Sequence, residues 1–239
     1  MERFASFASF VIRSFRVHWV EMLTPGTVAL IATFGLAMGA NAQIGRQPAR
    51  APQPSGWMSL SVGVMEISDV HDGSTNSDWF FGNAVQYRFS YEIPVQNQST
   101  FGISGSFARV PLTYESLAPI FVGCASPCDA DATVTQLMAT FHAGRNAPGF
   151  HQIIDLSLGA IGYSGFRARA NGERLPPRQL DADLAGGIGY GFGYTFSPDM
   201  QITLVQEGLL SVHQRTGVAG GEDTIGRQFV LRLGTRFGF

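Results

Sequence analysis

Glu207, Ser211 and His213 bring together an acid, a hydroxyl and an imidazole, the group types that hydrolytic relays use. Their odd numbering places all three on one face of a strand, because side chains alternate between the two faces. Ser211 and His213 would then stand about 7 Å apart along an extended chain, too far for direct contact. We expect ordinary interior and rim polar groups here and assign no catalytic residue. In the stretch 69–78, Asp69, Asp72, Asn76 and Asp78 offer the oxygens that calcium prefers, but their spacing is not that of an EF-hand and acidic loops are commonly just solvated. No metal is expected there. Cys124 and Cys128 are the only two cysteines. Two thiols cannot complete a tetrahedral zinc site, and Asp129 and Asp131 are weak additional ligands, so the expectation is a disulfide closing a small ring. The glycines at 187, 189, 191 and 193 are spaced for a strand, not for the strand-to-helix turn of a phosphate loop. No cofactor is implied.

The elements that must position these residues show a period of two. Residues 57–68 place Met58, Leu60, Val62 and Val64 on one face. Residues 79–93 set Phe81, Val85, Tyr87, Phe89, Tyr91 and Ile93 against Gly82, Ala84, Gln86, Arg88, Ser90 and Glu92. In 100–114, Phe101, Ile103 and Phe107 oppose Thr100, Gly102, Ser104 and Ser106, and the alternation decays beyond Arg109. Segments 131–143 and 150–166 continue the pattern, with Leu137, Ala139 and Phe141 and then Ile154, Leu156, Leu158 and Ala160 as their apolar sides. The cleanest is 182–196, where Leu184, Ile188, Tyr190, Phe192, Tyr194 and Phe196 face the glycine row. Segments 201–213 and 225–239 make eight. Their connections alternate between short and long, and a barrel with short turns at one end and long loops at the other has this plan.

Composition bounds the class. Charged residues are 14% of the chain, against roughly 25% in soluble globular proteins. With a net charge of −2 and no clustered cationic surface, there is no reason to expect nucleic acid as a partner. Arg13, Arg16 and His18 precede the apolar run 28–38, and Ala40 and Ala42 supply small residues before Gln43, so 1–42 reads as a cleaved secretory signal. The rival is one anchoring helix over 23–42, which Pro25, Gly26 and Gly35 weaken. Residues 43–56 hold three prolines and almost nothing apolar, and read as a mobile leader. The expected domain is 57–239.

A soluble sandwich would carry charge on its outer face. Here one face is aromatic to its ends and the other is mostly glycine, serine and threonine, which fits a closed barrel with lipid outside and a packed interior. The expected fold is all-β, an eight-stranded antiparallel up-and-down transmembrane β-barrel. Arg88, Glu92, Asp155, Glu207, Arg232 and Arg236 fall on the interior parity, and buried charge must be paired. A register setting Glu207 opposite Arg232 predicts one pair, and the glycine row is expected to make room for arginines. Tyr194, Phe196, Phe237 and Phe239 are placed in an interfacial girdle.

Apolar residues at alternate positions back from Phe239, among them Leu231, Leu233 and Phe237, resemble the closing strand of bacterial outer-membrane barrels, and the strand count resembles the small OmpA, OmpX and OmpW kind. The resemblance implies outer-membrane lipid as surroundings and assembly through that C-terminal strand by the barrel-assembly machinery. It also implies a monomer whose four outer loops meet the environment in a structural or surface-interaction role. A narrow pore for small or apolar solutes is the alternative reading. A lipid-modifying enzyme is a third, although the His-x-Ser pattern of lipid A deacylases is lacking.

Overall fold

A computed structural model of the chain describes residues 54–73, 75–96, 98–116, 124, 126–144, 148–213 and 224–239. The segment 1–42, expected as a secretory signal, and most of the Pro-rich leader lie outside the described residues. The last leader residues are not detached: Ser55 and Gly56 donate backbone hydrogen bonds to the carbonyl of Phe239, and Phe239 donates back to Gly56 at 3.1 Å.

The strands are β1 (Trp57–Ile67), β2 (Val70–Asp72), β3 (Ser77–Phe81), β4 (Ala84–Gln96), β5 (Ser99–Ser116), β6 (Cys128–Gly144), β7 (Gly149–Ala168), β8 (Asp181–Ser197), β9 (Met200–His213) and β10 (Thr224–Gly238). Every pairing is antiparallel. Consecutive strands from β4 to β10 pair with their neighbours, and β1 joins β10 to β4, so eight strands close into a ring without an edge. The chain is an eight-stranded up-and-down barrel. The near end is where Trp57 pairs with Gly238.

Two departures from simple alternation shape the far end. The segment expected as one strand over 79–93 is broken at Gly82 and Asn83. Its first part becomes β3, which pairs with the far end of β5 and folds back on β2. Two irregular residues shift the parity, so Trp79 and Ala84 both point inward, and Phe81 packs partly against the core instead of facing out with Val85.

The decay of alternation beyond Arg109 is a second exchange. On β5 the inward positions change from Thr100 and Ser104 to Ala108, Val110, Leu112 and Tyr114. Beside them in the same core cluster are Ala130, Ala132 and Val134 of the adjoining β6 and Ile161, Tyr163 and Phe166 of β7. Outside, the same stretch carries Arg109 and Asp131, joined at 3.1 Å, with Arg169 at 2.7 Å from Asp131. The Arg169 hydrogen bond holds the Asp131 carboxyl below the usual carboxylate range. The far end therefore has an apolar inside and a polar outside, and the rest of the barrel has the reverse.

Over that remainder every barrel strand turns large apolar side chains outward, including Leu60, Phe89, Ile103, Leu137, Leu158, Ile188, Leu204 and Leu233. Gln152, Gln206 and Thr235 are polar interruptions, and Glu66 and Arg227 lie near the belt's far limit. Phe237 and Phe239 are about half exposed at the near end, where Tyr91 stacks on Phe239 and Tyr194 meets Phe196 edge-on.

Candidate functional site: an ion network in the lumen

Six charged side chains of interior parity converge in the near half of the lumen, brought there from β4, β7, β9 and β10. Each is less than a tenth exposed: Arg88 and Glu92 from β4, Asp155 from β7, Glu207 from β9, Arg232 and Arg236 from β10. Glu207 is the hub. One of its carboxylate oxygens accepts from Nη1 of both Arg88 and Arg232, each at 2.5 Å, and the other accepts from Ser157 Oγ at 3.1 Å. Arg232 turns its second nitrogen to Asp155. Asp155 also meets Nδ1 of His142 at 2.6 Å. Arg236 donates to Glu92 at 2.6 Å, to Gln201 at 3.0 Å and to Nε2 of His142 at 2.9 Å, and lies over the Trp57 ring at 4.8 Å. Thr100 and Ser90 hydroxyls complete the Glu92 carboxylate at 2.5 and 2.7 Å.

Proton positions follow from donor chemistry. A guanidinium only donates, so His142 Nε2 must accept from Arg236. The imidazole proton then sits on Nδ1 and is donated to Asp155. His142 is neutral, and three guanidiniums face three carboxylates with no surplus charge. Multiple charge-assisted bonds to each carboxylate are the condition under which buried ions are tolerated. Beside the network a cavity of about 30 Å³ is bordered by Ser59, Ser61, Thr140 and Thr203. That is room for one or two waters. Farther along, Gln136 donates to Gln228 at 2.6 Å, and beyond it lies the apolar core of the far end.

No protein-family model matches the chain, and no curated protein is found as a relative. Solved bacterial surface barrels are similar to it. Neisserial surface protein A aligns over 79% of this chain and 100% of its own, at 12% identity and a TM-score of 0.46. The N-terminal β-barrel domain of Pseudomonas aeruginosa OprF covers the same shares at 13% and 0.43. The outer membrane protein OprG from Pseudomonas aeruginosa covers 78% of this chain and 97% of its own, at 14% and 0.42.

The six interior charges named from parity alone all lie in one network, but the pairing differs from the register expected. Glu207 stands opposite Val230, and Arg232 opposite Val205. The two meet diagonally, because their long side chains bridge the offset of two residues. Parity gave no hint of Arg88 reaching Glu207 across the lumen, nor of His142 linking the two halves. The glycine row makes room for neighbouring side chains, as expected, but the ones nearest it are not arginines. A Cβ on Gly187 would meet Ser157 and Leu209 at 2.9 Å, one on Gly189 would meet Val205 and Asp155, and one on Gly193 would meet His151 at 2.6 Å. Side chains of β7 and β9, next to the row, fill that space.

Glu207, Ser211 and His213 do not form a relay. Glu207 is held by arginines, Ser211 Oγ has no hydrogen-bond partner, and Nδ1 of His213 is 2.9 Å from Asp183. Cys124, in the far-end connection before β6, is bonded to Cys128, the first residue of that strand. Of the acidic positions in 69–78, Asp78 pairs with His71, and Asp72 turns into the barrel. Leu231, Leu233, Phe237 and Phe239 all stand on the outward face.

Proposed function

We propose that the chain is an outer-membrane protein whose barrel crosses the bilayer with its apolar belt, near end inward, and whose far end stands in water outside. The observation that carries this reading is the exchange of polarity along the strands. The belt is apolar outside and ionic inside, which suits hydrocarbon, and the far end is apolar inside and charged outside, which suits water. The belt ends where Phe107 gives way to Arg109 on the same face of β5.

Within that setting the role is structural or surface-interacting, exercised through the β2–β3 hairpin and the far-end connections. A filled lumen favours this over passage of solutes. The cavity beside the network has room for one or two waters, and a continuous path past it would require breaking the contacts of Arg232 and Glu207. The C-terminal strand, with its outward Leu231, Leu233, Phe237 and Phe239, is the element we assign to the assembly machinery.

The test is made on protein purified in detergent. Unboiled samples are expected to run as a compact band that shifts on heating, and planar bilayers are expected to show no stable conductance steps. A chain that is monomeric without detergent would sink the membrane reading. Steps abolished by Arg232→Ala or Glu207→Ala would replace the closed barrel with a narrow pore.

A further inference from the structure

A second cluster of ionisable groups lies above the network, in the aromatic core of the far end. His213 is fully buried at the end of β9, with Trp79 edge-on at 5.4 Å and Tyr163 at 6.2 Å between ring centres. Its Nδ1 lies 2.9 and 3.0 Å from the two oxygens of Asp183, which is itself buried. That contact fixes the ring. The opposite nitrogen, Nε2, has no hydrogen-bond partner, yet it points at two further carboxylates, 3.7 Å from Asp72 Oδ1 and 3.8 Å from Asp181 Oδ2.

Those distances are too long for hydrogen bonds and too short for indifference. They come close to the gap between two ligands of one ion, and a small inward shift of the carboxylates would close the difference. Atoms held at 2.0–2.2 Å by one tetrahedral zinc stand roughly 3.3–3.6 Å from each other. The three ligand atoms here all lie within 4.8 Å of one another. The second oxygen of Asp72 accepts from Thr75 Oγ1 at 2.5 Å, which orients Oδ1 toward the histidine. Among the described residues, the ion pairs of Asp181 and Asp183 are made with His213 alone. One imidazole therefore faces three carboxylates beside an aromatic shell, and like charges gathered so closely are penalised by burial.

We propose that Asp72, Asp181 and His213 bind a divalent transition-metal ion of the zinc class, with Asp183 as the residue that positions the histidine. A carboxylate accepting the far N–H of a ligating imidazole is the usual support of such a ligand, and imidazole with carboxylate suits zinc, cobalt and nickel. Asp181 is the one ligand with appreciable exposure, at 29% of its side chain. Asp72 belongs to the β2–β3 hairpin, and Asp181 and His213 belong to β8 and β9, so the ion staples the hairpin across the mouth of the barrel.

The probe is cobalt, with zinc as competitor, added to untagged protein that has been purified in detergent and stripped with chelator. One equivalent should bind and give visible ligand-field bands that zinc abolishes. His213→Ala and Asp181→Asn should remove the bands, and Asp183→Asn should weaken binding by about 10–100-fold while keeping one equivalent. His71→Ala, beside the site but paired with Asp78, should bind as before. The heat-shifted band confirms that each variant is folded, and Asp181→Asn, at the exposed edge, decides the matter if His213→Ala does not fold. Absence of binding by the parent protein, or undiminished binding in Asp181→Asn, overturns the proposal.

Discussion

Arg232 bridges Glu207 and Asp155, so its removal leaves two buried carboxylates each short of a guanidinium. Breaking a buried pair from one side costs far more than the net worth of the pair, because the remaining charge is stranded. Arg232→Ala is expected to lose about 3–5 kcal/mol in denaturant unfolding from detergent. Arg109 makes the opposite case. Its side chain is 71% exposed and its partner Asp131 keeps Arg169 as a second cation, so Arg109→Ala should cost under about 1 kcal/mol in the same assay. His142 was not singled out in the sequence because a lone histidine on a polar face carries no pairing information. Its role as the neutral link appears only when Arg236 and Asp155 are both seen to reach it.

At the scale of the element, the strands carry one alternation with two meanings. Along β5 the face that presents Phe107 to the outside presents Arg109 two residues later. Phe107→Arg, at the belt's far limit, should cost only about 0–1 kcal/mol, whereas Ile103→Arg, deeper in the belt on the same face, should cost about 2–4 kcal/mol, measured by unfolding from lipid vesicles. A loss near zero at Ile103 would move the membrane boundary inward. Glycines set how closely strands can approach. A Cβ on Gly191 would strike the backbone carbonyl of Leu204 and lie 2.7 Å from Val205 Cα, whereas on Gly186 it would meet ordinary contacts at 3.6 and 3.7 Å. Gly191→Ala should therefore destabilise by about 1–3 kcal/mol and reduce the compact gel band, and Gly186→Ala should leave it intact.

For the whole molecule, closure is what makes the rest consistent. A ring of eight strands leaves no unpaired edge and an interior just wide enough for side chains, so polar groups inside must satisfy one another. The sequence by itself determined the class, the number of ring strands, the outward apolar faces and the parity of all six interior charges. Those properties follow from a period of two, which is local and survives any error in which strand lies beside which. It could not decide that Arg88 meets Glu207, that Arg236 meets Glu92, or that Asp72, Asp181 and His213 converge. Contacts between residues as far apart as 144 positions depend on the stagger of the closed ring. The break at Gly82 and Asn83 turns a hairpin back over the mouth, and alternation within any single strand does not record where it lands. The decay past Arg109 was visible but ambiguous. Only the ring showed that the apolar face had changed sides, because an inward Val110 or Leu112 is recognised by the residues packed across from it.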